Sequence, residues 1–142
     1  MLIWRGQSQG HCGSETPLLL LLHGFGGLPE KFEALARNLA AGGLTVVAVA
    51  FPLTNENAPG GHGTALRDVI NQPADVRFVI DALLAGRDIP GHPLYCRFHP
   101  QRIAVLGHSL GAVTLMALLR KQCCVEGRIA AAIFVAAPVS SW

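Results

Sequence analysis

The residues best placed to do chemistry are Gly107-His108-Ser109-Leu110-Gly111, a G-x-S-x-G pattern in a chain of 142 residues. Residues 103–106, before it, read as a short buried strand, and residues 112–119, after it, read as a helix. A strand that turns abruptly into a helix forces its corner residue into strained backbone angles. Gly107 and Gly111 let neighbouring backbone approach without a Cβ clash. That geometry lifts the Ser109 hydroxyl above the sheet edge and turns the helix start, with its free N–H groups and positive dipole end, towards it. Ser109 is therefore the candidate nucleophile. His108 adjoins it on a tight turn, where neighbouring side chains diverge, and reads as a packing or hydrogen-bonding residue rather than a base.

A serine nucleophile needs two donors at the oxygen that turns negative. The Leu110 N–H, next after the nucleophile, is one. The second candidate is the Phe25 N–H in His23-Gly24-Phe25-Gly26-Gly27, which follows a strand over 17–22. His23, Gly24 and Gly26 support that loop. It sits at the carboxyl end of its strand, the edge where open α/β sheets place ligands.

The elements that must hold these two loops alternate in type. The leucine run Leu18-Leu19-Leu20-Leu21-Leu22 is a fully buried strand. A helix is expected over 29–40, with Phe32, Leu35, Ala36 and Leu39 inward, stopped by Gly42-Gly43. A second buried strand covers 44–51, a loop 52–63, and a helix 73–85 with Val76, Val79, Ile80, Leu83 and Leu84 inward. Another loop covers 86–101. After the elbow and its helix, apolar nearly all round and so buried, a last strand is expected over 129–137. Residues 1–16 are turn-rich with room for half a strand. The alternation predicts an α/β domain with a mostly parallel sheet and helices on both faces.

Composition is consistent with this. Apolar residues make up 51% and charged residues 14%, and the mean hydropathy is +0.40. Such a chain suits a doubly covered parallel sheet, or part of a larger domain. A net charge of +2 with no basic run argues against nucleic acid. No apolar run reaches membrane-spanning length, and the first residues lack a signal-peptide pattern, which points to the cytoplasm unless the N-terminus is incomplete. Cys12, Cys96, Cys123 and Cys124 lack metal-ligand spacing, so no metal site is expected, and they read as free, partly buried thiols.

Taken together, the leucine run, His23-Gly24-Phe25-Gly26-Gly27 and Gly107-His108-Ser109-Leu110-Gly111 resemble the α/β-hydrolase superfamily of esterases and lipases, in motif order over residues 17–137. The stretch Asn71-Gln72-Pro73-Ala74-Asp75-Val76-Arg77-Phe78-Val79-Ile80-Asp81 is similar to the branch of dienelactone-hydrolase-like and platelet-activating-factor-acetylhydrolase-like proteins. The resemblance implies Ser109 as nucleophile, the Phe25 and Leu110 amides as oxyanion hole, small carboxylic esters as substrates, and no cofactor.

One departure is chemical. The superfamily orders its triad Ser, then Asp or Glu, then His. After Ser109 this chain has neither Asp nor His, and its one side-chain carboxylate there is Glu126, expected at the opposite sheet edge. Upstream, His11, His62, His92 and His99 all fall on expected loops. His62 is nearest to the active edge, yet reads better as a solvated loop residue. The resemblance implies that acid and base come from beyond Trp142, so residues 1–142 form a single, incomplete hydrolase domain with a partial α/β-hydrolase fold. Weak or no turnover is expected of these residues alone. The alternative is a non-catalytic binding or assembly module that self-associates or takes a partner along the apolar last strand.

Overall fold

A computed structural model describes residues 1–6, 15–60, 65–120, 122 and 124–137. Five strands form one sheet: β1 (Leu2–Trp4), β2 (Thr16–Leu22), β3 (Thr45–Val49), β4 (Phe98–His108) and β5 (Ile129–Val135), in spatial order β1-β3-β2-β4-β5. β1 runs antiparallel to β3, and the other pairings are parallel. Three α-helices connect them: α1 (Glu33–Ala41), α2 (Gln72–Asp88) and α3 (Leu110–Arg120).

The leucine run of β2 shows why both faces must be covered. Side chains alternate across a strand, so Leu19 and Leu21 pack with Ala36 and Ala40 of α1. Leu18, Leu20 and Leu22 join Val76, Ile80 and Leu83 of α2 and Leu115 and Leu118 of α3 on the other face. A continuous apolar strand is stable only between two helix layers.

Several boundaries differ from the expectation. The first helix begins as a 3-10 turn over Pro29–Phe32, and Leu35, expected inward, is 42% exposed. The buried side of α1 is made by the small residues Ala36 and Ala40, which let the helix approach the sheet. A 3-10 turn over Leu66–Ile70 precedes α2, and α2 runs on to Asp88 through Gly86. β4 starts at Phe98, shortening the loop expected over 86–101, because Thr16 of β2 extends the ladder to Phe98 across a register shift. α3 buries one side, Gly111, Ala112, Thr114, Leu115 and Leu118, rather than its whole circumference.

The thiol expectation is overturned. Cys96 and Cys124 are both disulfide-bonded, and Cys96 is buried at 2% exposure. Disulfide formation depends on two Cβ atoms approaching in space, which sequence spacing does not reveal. Cys12, Cys123, His11 and His62 lie outside the described residues. No helix among the described residues is long and apolar enough to cross a membrane.

The connections decide where a ligand can sit. From β2 the chain steps to β3 on one side, then crosses back over β2 to β4 and continues outward to β5. The direction of winding therefore reverses between β2 and β4. A crevice opens outside the carboxyl ends of two strands that wind in opposite senses, and both glycine-rich motifs end there.

Candidate active site

Register brings the two motifs together. Leu22 of β2 pairs with Gly107 of β4, so His23-Gly24 and His108-Ser109 leave the sheet side by side. Ser109 has φ 53°, in the left-handed region, where an ordinary residue is strained by roughly 1–2 kcal/mol. Three contacts hold it there. Its N–H donates to the Val135 carbonyl of β5 at 3.0 Å, and its own carbonyl accepts the Ala112 N–H at 2.9 Å and the Val113 N–H at 3.4 Å, capping α3.

The flanking glycines are required by close approach. A Cβ on Gly111 would sit 2.3 Å from the Leu22 carbonyl oxygen, and one on Gly107 would sit 2.5 Å from the Gly111 oxygen. Across the crevice, a Cβ on Gly24 would fall 2.9 Å from the Ser109 Cβ and 3.3 Å from His108 Nδ1. The loop after β2 and the corner at Ser109 thus pack closely against each other.

The loop after β2 is shaped by its own hydrogen bonds. Gly27 N–H donates to the Gly24 carbonyl at 3.0 Å, and Gly26, at φ 65°, donates to the Thr54 carbonyl at 2.8 Å. Among the described residues, the N–H groups of Phe25 and Leu110 have no hydrogen-bond partner. His23 is buried, at 2% exposure. Its Nε2 accepts the Phe51 N–H at 3.1 Å, which leaves Nδ1 to carry the proton and donate to the Gly24 carbonyl at 2.7 Å. Burial pushes its pKa below the ordinary 6.5, outweighing the Gly24 hydrogen bond that favours the charged form. His23 is therefore a neutral tie between β2 and the chain after β3, with no ring nitrogen left for proton transfer.

Above these groups lies a cleft of about 380 Å³. The loop 23–28, Lys31 and Phe32 wall it, and His108 and Ser109 also line it. Lys31 Nζ donates to Glu56 Oε2 at 2.7 Å, tying that wall to the loop after β3.

The remaining candidates lie elsewhere. Glu126 precedes β5, whereas Ser109 follows β4; because these strands are parallel, the two occupy opposite sheet edges. There Glu126 is engaged by Arg128 through both carboxylate oxygens, and Arg128 also donates to Asp81 of α2. The Arg128 guanidinium holds the Glu126 carboxyl below its ordinary range. His99 lies near the start of β4, roughly 30 Å along the strand from Ser109, and its Nδ1 accepts the Gln101 N–H at 3.1 Å. His92 lies in the turn after α2, where its Nδ1 accepts the Leu94 N–H at 3.2 Å. Neither approaches the crevice.

The sequence reading missed Thr54, Gln72 and Thr114. Gln72 Nε2 donates to Thr54 Oγ1 at 2.8 Å, and the Thr114 hydroxyl donates to Gln72 Oε1. The one available signal was Thr114, a polar residue on the buried stripe of an otherwise apolar helix.

No curated protein compared with the chain matches it. Solved structures do. A ferulic acid esterase from Streptomyces cinnamoneus shares 31% identity at a TM-score of 0.62, over 82% of this chain and 35% of its own. The thioesterase domain of the curacin biosynthetic pathway shares 22% at 0.60, over 90% and 40%. A thermophilic esterase from Thermogutta terrifontis shares 18% at 0.60, over 95% and 47%. The chain thus spans less than half the length of these structures. A family model described as the alpha/beta hydrolase family matches residues 19–142. With its mostly parallel sheet, its winding reversal between β2 and β4 and its strand-to-helix corner at Ser109, this chain belongs to the alpha/beta hydrolase family.

Proposed function

We propose that the chain carries the nucleophile and oxyanion hole of a serine ester hydrolase. The observation that supports this most directly is Ser109, a non-glycine residue at φ 53° between β4 and α3, beside the cleft. In this reading, Ser109 Oγ bonds to the acyl carbon while its proton passes to a base. The carbonyl oxygen becomes an alkoxide received by the Phe25 and Leu110 N–H groups and the positive end of α3. The alcohol then leaves, and water releases the acid. Phe25, 47% exposed, and Phe32 offer apolar surface beside Ser109, which fits an ester with an aromatic or apolar acyl part, as in the ferulic acid esterase.

In the superfamily the acid and the histidine base follow the nucleophile, and residues 110–142 hold neither Asp nor His, so slow reaction is expected of residues 1–142. Release of p-nitrophenol from p-nitrophenyl acetate by the chain is expected to fall roughly tenfold or more in Ser109→Ala. Equal rates for the two proteins remove Ser109 from the mechanism.

A second reading is favoured by β5. Among the described residues it is the outermost strand of the sheet, with Ile133 48%, Phe134 42% and Val135 41% exposed. An apolar sheet edge of that kind is a template for a further strand, and it supports an assembly role for the same scaffold.

A further inference from the structure

Thr54, Gln72 and Thr114 touch no reacting atom, yet they are 0%, 0% and 1% exposed, polar side chains set among mostly apolar buried residues. A buried polar group must find its hydrogen-bond partners or destabilise the fold, so the three side chains constrain one another's positions. Thr114 stands one helical turn after Leu110 in α3, and its hydroxyl donates to Gln72 Oε1. Gln72, the first residue of α2, donates through Nε2 to Thr54 Oγ1 at 2.8 Å. The Thr54 main-chain carbonyl accepts the Gly26 N–H at 2.8 Å. The path runs from the helix that begins at Leu110 to the loop that carries the Phe25 amide.

The geometry points to Gln72 as a positioning residue: it sets the separation of the Leu110 and Phe25 amides, and so their fit to a tetrahedral oxyanion. Apolar packing alone holds two elements together but is non-directional, whereas hydrogen bonds weaken steeply with misalignment. One amide side chain that both donates and accepts can lock a helix to a loop through two hydroxyls. This inference rests on Ser109 being the nucleophile.

The test is phenylboronic acid titrated into the whole chain and followed by boron NMR. The Ser109 Oγ–B bond forms, no bond to boron breaks, boron becomes tetrahedral, and the serine proton passes to solvent. The adduct presents a boron-bound oxygen to the two amides. Affinity is measured on the folded protein, far below its unfolding midpoint, so lost stability by itself leaves it unchanged. Gln72→Leu and Thr114→Val are each expected to weaken the adduct roughly tenfold, and the double variant no further, as for residues acting as one unit. A folded Gln72→Leu protein with wild-type affinity overturns the inference and leaves Ser109 in place. If Gln72→Leu does not fold, the near-isosteric Thr114→Val decides by the same criterion. Ser109→Ala binding the boronate as tightly as wild type overturns the serine reading and the role of Gln72 with it.

Discussion

The proton on His23 is placed by its neighbours. Its Nε2 faces the Phe51 N–H, a donor that cannot become an acceptor, so an imidazolium would set two donors against each other. The ring also meets the Phe51 ring edge to face, centroids 5.2 Å apart, and both side chains are buried. With the folded pKa below 6.5, the unfolded chain takes up the proton first as pH falls. The contribution of His23 to stability is then level above about pH 6.5 and declines below it, towards the folded pKa. The urea midpoint is expected to drop between about pH 7 and pH 5, and His23→Gln, which does not titrate in this range, is expected to flatten that drop. Parallel pH profiles for the two proteins would show that His23 is not held neutral. At this scale the sequence was readable where the pattern is local. Gly107 to Gly111 announce a corner because the chemistry of a corner depends on adjacent residues. Gln72 announces nothing, because its partners Thr54 and Thr114 lie 18 and 42 residues away.

The corner at Ser109 is an agreement among three elements. β4 delivers Ser109, α3 departs across the end of β2, and β5 supplies the Val135 carbonyl that accepts the Ser109 N–H. The point of closest approach is Gly111 against the Leu22 carbonyl oxygen. Gly111→Ala puts a methyl 2.3 Å from a main-chain atom of the central strand, where no side-chain rotation relieves the clash, and is expected to destabilise by about 3 kcal/mol. Gly127→Ala, with nothing within 4 Å of its added Cβ, is the control and is expected to cost less than about 1 kcal/mol. Equal urea midpoints for the two variants would mean that α3 is not pressed against β2. Element types were legible because the apolar spacing changes from an unbroken run in β2 to the helical stripe Val76, Ile80 and Leu83 in α2. The ends were less so. Residues 86–88 and 98–102 belong to α2 and β4 because Arg87 donates to the Phe98 carbonyl at 2.8 Å and to Glu15 at 3.0 Å, contacts made between segments distant in sequence.

Among the described residues, the two faces of the sheet each carry an apolar cluster, and its β5 edge is apolar. If that edge pairs with a further strand, the chain associates as its concentration rises, and Phe134→Lys is expected to abolish the association while changing stability by less than about 1 kcal/mol. Sedimentation velocity over a concentration series checks both statements, and a wild-type monomer throughout rules out the assembly reading. By itself the sequence determined the α/β class, the helix–strand alternation and the strained serine corner, since each follows from the spacing of apolar residues and glycines within a short window. Tertiary structure alone decided that Leu22 aligns with Gly107, which sets the two glycine loops in contact. It also decided that His23 is a neutral tie, that Cys96 and Cys124 are in disulfides, and that Gln72 and Thr54 link α3 to the loop after β2. Each of these needs two segments far apart in the chain to meet, and it is the packing of helices on both faces of the sheet that brings them together.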